Sequence, residues 1–148
     1  MRYTSKQVRI ARSDEEIFRI LSDFQHFSPI VAGRVEGWEA TAERCRFRVK
    51  GMTVGLKMVE RQPNKLIKVS ADDSMGSGAV PMPFTFWVQM KDSTGESAVA
   101  PQTHLRIVLE IELNLMMKML IGGKLQGAID TIAEQIAGAF NNPGNIQP

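Results

Sequence analysis

The chain has 148 residues but a single cysteine, Cys45, so no disulfide can form within it. Its histidines, cysteine and carboxylates do not follow any spacing known for metal sites. Its glycine-containing segments do not match a phosphate-binding loop. A lone cysteine outside a metal-binding motif is typical of proteins in a reducing compartment. We therefore expect a cytoplasmic protein without a metal ion or another cofactor.

Long hydrophobic runs are absent as well. The opening segment, MRYTSKQVRIARSDEE, contains no continuous apolar core and does not predict a secretory signal. A membrane-spanning helix takes about 20 mostly apolar residues. The longest candidate, 113–123, is shorter and includes Lys118, so we expect no stable membrane insertion.

The sequence also has little excess of charge of one sign. Its formal net charge is +2, and the basic residues are scattered. Nucleic-acid-binding domains usually concentrate Lys and Arg on one surface, so we expect no nucleic-acid partner. The content of 43% hydrophobic and 23% charged residues is typical of a globular protein, and the length suits one domain with a sizeable core.

The first part of the chain predicts a strand followed by helices. Residues 3–10 are rich in β-branched residues and partly alternate. The segment RSDEEIFRILSDF changes to a helical period, with Ser13 or Asp14 as N-cap and an acidic first turn. The segment QHFSPIVAG then predicts a second short helix or a loop that ends at Gly33.

The middle of the chain alternates apolar and polar residues with the period of two that strands show. A turn is predicted at Pro63-Asn64, and an exposed loop at SMGSGAVPMP, residues 74–83. This alternation indicates an antiparallel sheet with one buried face and one face in water. The apolar positions that share the buried face are Cys45, Phe47, Val49, Met52, Val54, Leu56, Met58, Ile67, Val69, Ala71, Phe84, Phe86, Val88, Met90, Leu105, Ile107, Leu109, Ile111 and Leu113.

The last part of the chain predicts a long helix and then a polar tail, residues 141–148. Leu125, Ile129, Ile132, Ile136 and Phe140 follow a 4-3-4-4 spacing, which is one stripe of a helix. Only this helix is long enough to cover the apolar face of the sheet. The predicted fold class is α+β: a curved antiparallel sheet of about six or seven strands wraps around a long C-terminal helix, with two short helices after the first strand.

Three segments in this order resemble the START-like, helix-grip superfamily, which includes polyketide cyclase/dehydrase-like and lipid-transfer proteins. They are VRIARSDEEIFRILSDFQHFSPI at the front, the strand series, and LMMKMLIGGKLQGAIDTIAEQIAGAF at the end. Phe24, Phe27 and Pro29 stand where this family often carries a tryptophan, so the subfamily is open. The resemblance covers nearly the whole chain and implies a single helix-grip domain over residues 1–148. It also implies a cavity between the sheet and the C-terminal helix that takes small apolar or amphipathic molecules.

Any such cavity must be lined by the inward-facing side chains of the sheet and the last helix. We expect an apolar pocket with few polar anchors, suited to a lipid, a polyketide or a similar small hydrophobic molecule. The predicted lining residues are Trp38, Phe47, Leu56, Met58, Val69, Phe84, Phe86, Val88, Leu109, Ile111, Met117, Leu125, Ile129 and Ile132.

A cyclase-like enzyme that uses the same cavity is the first alternative, and it would need a nucleophile or an acid/base pair inside the cavity. His26 and His104 are the two histidines, and both are better explained as surface or helix-end residues. Cys45 is better explained as a buried thiol, because no histidine or basic cluster adjoins it in sequence to lower its pKa. An interaction module, or a homodimer that binds no ligand, is the second alternative.

Three carboxylates on strands are the remaining acid/base candidates. Glu110 and Glu112 share one strand face, but this is the polar face, where pairing with Arg46 or Arg48 is the simpler expectation. Glu60 continues the inward parity of Met58 at the end of its strand. It is either a polar group at the rim of the cavity or half of an ion pair.

The stretch LNLMMKMLIGGKLQ, residues 113–126, joins the last strand to the last helix. Gly122 and Gly123 can relax the backbone where the chain turns into or along its helix. Met116, Met117 and Met119 are predicted to lie at one end of the cavity, as a packed plug or as an adaptable ligand gate, and we favour the plug. Access to the cavity is expected there and through the loop around residues 75–83.

Overall fold

Eight β-strands and two α-helices make up the part of the chain that the computed structural model describes, residues 1–27, 35–49, 52–71, 84–96 and 101–141. The strands are β1 (Arg2–Thr4), β2 (Val8–Ile10), β3 (Glu36–Ala40), β4 (Arg44–Val49), β5 (Met52–Gln62), β6 (Leu66–Ala71), β7 (Phe84–Asp92) and β8 (Thr103–Ile111). The helices are α1 (Asp14–Leu21) and α2 (Leu115–Asn141), with short 3₁₀ helices at Phe24–Phe27 and Thr94–Glu96.

The strands form one antiparallel sheet in the order β1-β8-β7-β6-β5-β4-β3, and β2 also pairs with β8. Because β1 and β2 both pair with β8, they occupy one edge position, which agrees with the predicted six or seven strands. Ser5 lies at the break between them and is buried. Its N–H donates to the carbonyl of Ile107 over 2.7 Å, and its hydroxyl accepts from the Ile107 N–H over 2.8 Å. A side-chain oxygen thus replaces a backbone acceptor where the strand is interrupted.

The alternation predicted from the sequence is confirmed on the inner face of the sheet. The buried inner positions are Cys45, Ile67, Val69, Val88, Met90, Leu105, Ile107, Leu109 and Ile111. Val108, on the opposite face, is buried too. Its cross-strand neighbour is Trp87, and the charged groups of Arg2 and Lys68 each lie 5.6 Å from the centre of the Trp87 ring. This aromatic and cationic cover accounts for the burial of an apolar residue on the polar face.

Helix α1 begins as its sequence predicts. The hydroxyl of Ser13 accepts a hydrogen bond from the Glu16 N–H over 3.2 Å, which identifies Ser13 as the N-cap. Ile17, Ile20 and Leu21 are buried on one side of the helix, which packs against β6 and β7. The 3₁₀ helix Phe24–Phe27 covers the start of the predicted second helix, whose remainder lies outside the described residues.

Helix α2 is longer than its apolar stripe predicted. It begins at Leu115, directly after the last strand, so Gly122 and Gly123 lie inside the helix and not at a turn. Its C-terminal residue is Asn141, which the sequence had placed in the polar tail; the rest of that tail lies outside the described residues. The helix packs against β1, β2 and β8, at one edge of the sheet.

The buried face of α2 contains Ile129, Ala133, Ile136 and Phe140. The prediction that Ile132 also faces the sheet is wrong, since its side chain is 46% exposed. A helix turns by about 100° per residue, so Ile132 lies about 60° from Ile129, on the flank of the packed face. Ala133 is fully buried on that face, and its small side chain lets the helix approach the sheet.

Three polar side chains of α2 hydrogen-bond the backbone of the first strands. The Gln126 amide donates to the carbonyl of Thr4 over 2.8 Å, and the Asp130 carboxylate accepts from the Lys6 N–H over 2.7 Å. The Asn141 amide accepts from the Ala11 N–H over 2.7 Å and donates to the carbonyl of Arg9 over 3.1 Å. The long helix thereby satisfies backbone groups on both sides of the break at Ser5.

Candidate ligand-binding site

The buried side chains on the inner face form two clusters. The larger one joins α1, the middle of the sheet and the C-terminal half of α2, and includes Phe24, Ile67 and Ala133. The smaller one consists of Leu109, Ile111 and Ile129. Half-buried Phe86 packs against both clusters, so the space between sheet and helix is filled unevenly along the sheet.

A set of large apolar side chains beside the two clusters is only half-buried, and we call it the apolar strip. Its members are Trp38, Phe47, Leu56, Met58, Phe84, Phe86 and Leu125.

Strand register places Met58 and Phe86 of the apolar strip in one cross-strand row, with buried Val69 between them. Met58 lies opposite Val69, Val69 lies opposite Phe86, and Phe86 lies opposite Leu109. At the far edge, the ring centroids of Trp38 and Phe47 are 5.9 Å apart. Because α2 packs against the β1, β2 and β8 edge, its packed face lies away from the β3–β5 part of the strip. The half-exposure of these side chains follows from that offset.

The thiol of Cys45 is an ionisable group beside the apolar strip, directly opposite Leu56. It is fully buried, and burial raises its pKa to about 12, against a smaller opposing effect of a hydrogen bond with the backbone of Leu56. The thiol is therefore protonated at neutral pH. Since the thiolate is the nucleophile, the structural interpretation of Cys45 is the better one.

The histidines lie away from the apolar strip, whereas Glu110 and Glu112 lie near its Phe84 end. His26 is exposed, with its Nδ1 3.1 Å from the carbonyl oxygen of Ile20. His104 belongs to the outer face of β8. Glu110 pairs with Arg2 on that face over 2.8 Å, so the expected pairing with Arg46 is wrong, and the Arg46 guanidinium contacts Glu39 instead. The positions of the histidines suit surface roles, and Glu110 is held in an ion pair.

A β-bulge in β5 explains the position of Glu60. Met58 pairs with Val69, but Glu60 and not Val59 pairs with Lys68, so one extra residue is inserted between the two pairs. A one-residue slip moves the following side chains to the opposite face of the sheet. Glu60 is accordingly exposed and accepts a hydrogen bond from the Gln62 amide. The inward parity predicted for Glu60 is wrong.

A depression of about 320 Å³ opens at the ends of β6, β7 and β8, next to the apolar strip. Ala71, Phe84 and Ile111 form its apolar side, and Glu110 and Glu112 lie at its polar side. Two further depressions, near the end of α2 and around His104, lie away from the strip.

The predicted lining residues fall into four groups. Val69, Val88, Leu109, Ile111 and Ile129 are buried in the two packed clusters. The seven residues of the apolar strip are half-buried, and Ile132 is exposed. Met117 is in the first turn of α2, and its side chain lies outside the described residues, as does the predicted access loop 75–83. Which of these residues contact a ligand is still a prediction.

Sequence reasoning missed Tyr3, which packs with Phe84 and Leu125 beside the smaller cluster. The first strand was treated as continuous, and alternation over 3–10 places Tyr3 and Val8 on opposite faces. The break at Ser5 shifts the parity, so both residues oppose inner positions of β8. The isolated serine in an otherwise strand-like segment is the signal that marks this break.

Within the described ranges, no three His, Cys, Asp or Glu side chains lie close enough together to hold a metal ion. In the same part of the chain, neither helix is both long and apolar enough to cross a membrane.

No protein-family profile matches the sequence, and no curated protein matches it significantly. Solved structures do match its fold. A START superfamily protein from Mycobacterium smegmatis matches with a TM-score of 0.63 and 18% identity, over 96% of this chain and 98% of that one. Norcoclaurine synthase from Thalictrum flavum matches with a TM-score of 0.68 and 12% identity, over 93% and 86%. The Aha1 dimer from Colwellia psychrerythraea matches with a TM-score of 0.59 and 15% identity, over 96% and 97%.

A second structure of norcoclaurine synthase, in complex with dopamine and hydroxybenzaldehyde, matches equally well. At these identities the likeness concerns the fold alone. The chain has the START-like, helix-grip fold: an antiparallel sheet packed against a long C-terminal helix, with a short helix after the first strands.

Proposed function

We propose that this protein binds a small hydrophobic or amphipathic molecule against the apolar strip, between the sheet and α2. One observation carries the proposal: seven large apolar side chains stay half-buried on the face whose other residues form two tightly packed clusters. A group of partly exposed apolar side chains on the inner face of a sheet is a candidate ligand site.

Burial of apolar area supplies the affinity in this proposal. Removing apolar surface from water yields about 25 cal/mol per Å², so a ligand that covers roughly 200 Å² of the strip gains about 5 kcal/mol before the costs of association. The strip presents an apolar surface with few polar groups, so we expect it to select ligands by their size and apolarity.

Two structures with the same fold are consistent with a binding role. One is named as a START superfamily protein, and another holds dopamine and hydroxybenzaldehyde, two small aromatic molecules. We infer a binding protein and not an enzyme, because the thiol of Cys45 beside the strip stays protonated and the histidines lie elsewhere. Glu110, near the Phe84 end of the strip, is paired with Arg2. We further propose that residues 1–148 act as one cytoplasmic domain.

A substitution in the strip tests the proposal. Met58→Gln keeps the length of the side chain but places a polar amide in the strip, whereas Val59→Thr changes the next residue, which is 50% exposed at the bulge. We expect Met58→Gln to weaken binding of an apolar fluorescent probe, 1-anilinonaphthalene-8-sulfonate, by about tenfold, because an unpaired amide next to an apolar ligand costs about 1–2 kcal/mol. Val59→Thr should bind as the wild type does.

Circular dichroism of both variants provides the folding control. The proposal is contradicted if the folded Met58→Gln protein binds the probe as tightly as the wild type. It is also contradicted if neither this probe nor a panel of lipids and polyphenols raises the melting temperature or is retained in native mass spectra.

A further inference from the structure

The start of α2 exposes large apolar side chains to an unusual degree. Leu115, Met116, Met119 and Leu120 are 75%, 71%, 80% and 66% exposed, and we call these four residues the helix tip. They account for most of the large apolar side chains that the described part of the chain exposes strongly. Scattered single exposures need no explanation, but a contiguous patch marks an interaction surface.

The four side chains of the helix tip share one broad arc. At about 100° per residue, Leu115, Met119, Met116 and Leu120 lie at roughly 0°, 40°, 100° and 140° around the helix axis. The packed face of α2 begins further along the helix, where Gly122 lies close to Tyr3 and Ile129 is buried. The helix tip thus projects as two apolar turns beyond the packed part of the helix.

The charged residues within the first four turns of α2 are lysines, although exposed Glu112 lies three residues before the tip. Between Glu112 and Asp130 the sequence contains no acidic residue, whereas Lys118 and Lys124 are both exposed. In the same angular scale, Lys118 lies at about −60° and Lys124 at about 180°, so one lysine flanks each side of the apolar arc. The helix dipole adds a partial positive charge at this end of the helix.

We propose that the helix tip docks reversibly on an anionic lipid surface. Its four apolar side chains enter the boundary between headgroups and acyl chains, and Lys118 and Lys124 contact the negatively charged headgroups, the arrangement by which helices lie at membrane interfaces. Two helical turns span about 11 Å, far less than the roughly 30 Å of a bilayer core, so the contact is peripheral. The inference stands independently of the ligand site.

A second copy of the chain fits the helix tip less well. Two tips in contact bring like-charged lysines together, which costs affinity. Four side chains are also few beside the roughly 20–30 residues per partner in a standard protein interface. The lysines favour a lipid surface, because they add to binding there.

Vesicle flotation tests the proposal directly. The wild-type chain should bind vesicles of phosphatidylcholine mixed with phosphatidylserine, bind phosphatidylcholine alone weakly, and lose affinity as salt increases. Met119→Gln combined with Leu120→Gln should lower the vesicle affinity at least about tenfold, because two apolar anchors are removed. Lys118→Gln combined with Lys124→Gln should lower it by about 30-fold on the mixed vesicles.

A matched control keeps the helix tip apolar: Met119→Leu combined with Leu120→Met should bind as the wild type does. Helical circular dichroism should be the same in all variants, since Gln, Leu and Met are similar helix formers. Absence of wild-type binding to the mixed vesicles overturns the proposal, as does equal binding by the Gln variants. A dimer in sedimentation experiments that the Met119→Gln, Leu120→Gln protein loses would assign the tip to a second copy and also overturn it.

Discussion

Cys45 shows how burial sets the chemistry of a single residue. Its pKa is about 12 in the folded chain and 9.0 in its ordinary state, so the unfolded thiol loses its proton at lower pH than the folded one. Ionisation therefore favours the unfolded state as the pH rises from about 9 to about 12. Over this window we expect the free energy of unfolding of the wild type to fall more steeply than that of Cys45→Ala, in urea titrations at a series of pH values.

The Cys45→Ala comparison is needed because lysines and tyrosine also titrate in this range, and they are common to both proteins. A thiol reagent gives an independent check, since native Cys45 should react far more slowly than Cys45 in urea. Parallel pH profiles of the two proteins, or rapid labelling of the native thiol, would contradict the burial argument.

The sequence predicts the burial of a residue correctly where strand alternation alone determines it. It fails where tertiary contacts determine whether the side chain is buried or exposed. The inward positions of Ile67 and Leu105 follow from alternation alone. The exposure of Glu60 depends on a one-residue bulge, and that of Ile132 on which part of the helix meets the sheet. Neither exposure can be predicted from the local sequence period, because that period does not determine strand register or the angle at which a helix packs on the sheet.

At the scale of elements, the paired glycines of α2 differ although they are adjacent. A Cβ on Gly122 would lie 3.2 Å from the hydroxyl oxygen of Tyr3, whereas a Cβ on Gly123 would meet nothing within 4 Å. Glycine inside a helix costs roughly 0.5–1 kcal/mol relative to alanine. We expect Gly123→Ala to raise the free energy of unfolding by about that amount and Gly122→Ala to give less or none, measured by urea denaturation.

The elements themselves were largely predictable. The strands, the N-cap of α1 and the existence of a long last helix all follow from periods and capping residues. The start of α2 was missed, because a Gly-Gly pair after a methionine-rich run indicates a turn as readily as a helix interior. In the structure Met116 and Met119 are exposed on that helix, so the interpretation of these residues as a plug is wrong.

At the scale of the whole molecule, the two ends of the chain hold the fold together. Asp130 and Asn141 hydrogen-bond the backbone on either side of β2, and these side chains are more than 120 residues away from Lys6 and Ala11 in sequence. Each hydrogen bond contributes about 1 kcal/mol. We expect Asp130→Ala combined with Asn141→Ala to lower the free energy of unfolding by about 3 kcal/mol, because the amides of Lys6 and Ala11 lose their acceptors and the Arg9 carbonyl loses its donor.

Hydrogen exchange localises that effect. The amides of Lys6 and Ala11 should exchange faster in the double variant. The exchange rate of the Leu109 amide, in the sheet interior, should change only as much as the global free energy of unfolding requires. Thr131→Ala, an exposed change on the same helix, is the matched control. It should leave the exchange rates of the Lys6 and Ala11 amides as they are in the wild type. A double variant as stable as the wild type would contradict the prediction, because it would show that these hydrogen bonds are no more favourable than the hydrogen bonds to water that they replace.

The fold class was predictable from the order of elements, and the shape of the site was not. The sequence names Met58 and Phe86 as inward residues, but their half-exposure depends on α2 lying near one edge of the sheet. That position is set by contacts such as Ala133 with the sheet, which are long-range and absent from any local pattern. For the residues of the proposed ligand site, the sequence therefore predicts which face of the sheet they occupy but not how far they lie from α2.

The pairing of the first strand with the last one also bears on how the chain is made. Arg2 lies opposite Glu110 and Val8 opposite Leu105, so β1 and β2 leave the ribosome about a hundred residues before their partner strand exists. Until β8 emerges, β7 presents an unpaired edge, and its FTFWV segment is the kind of strand that associates with other chains. Closure of the sheet is thus a late event, and a chain stalled before residue 103 is the form most exposed to aggregation.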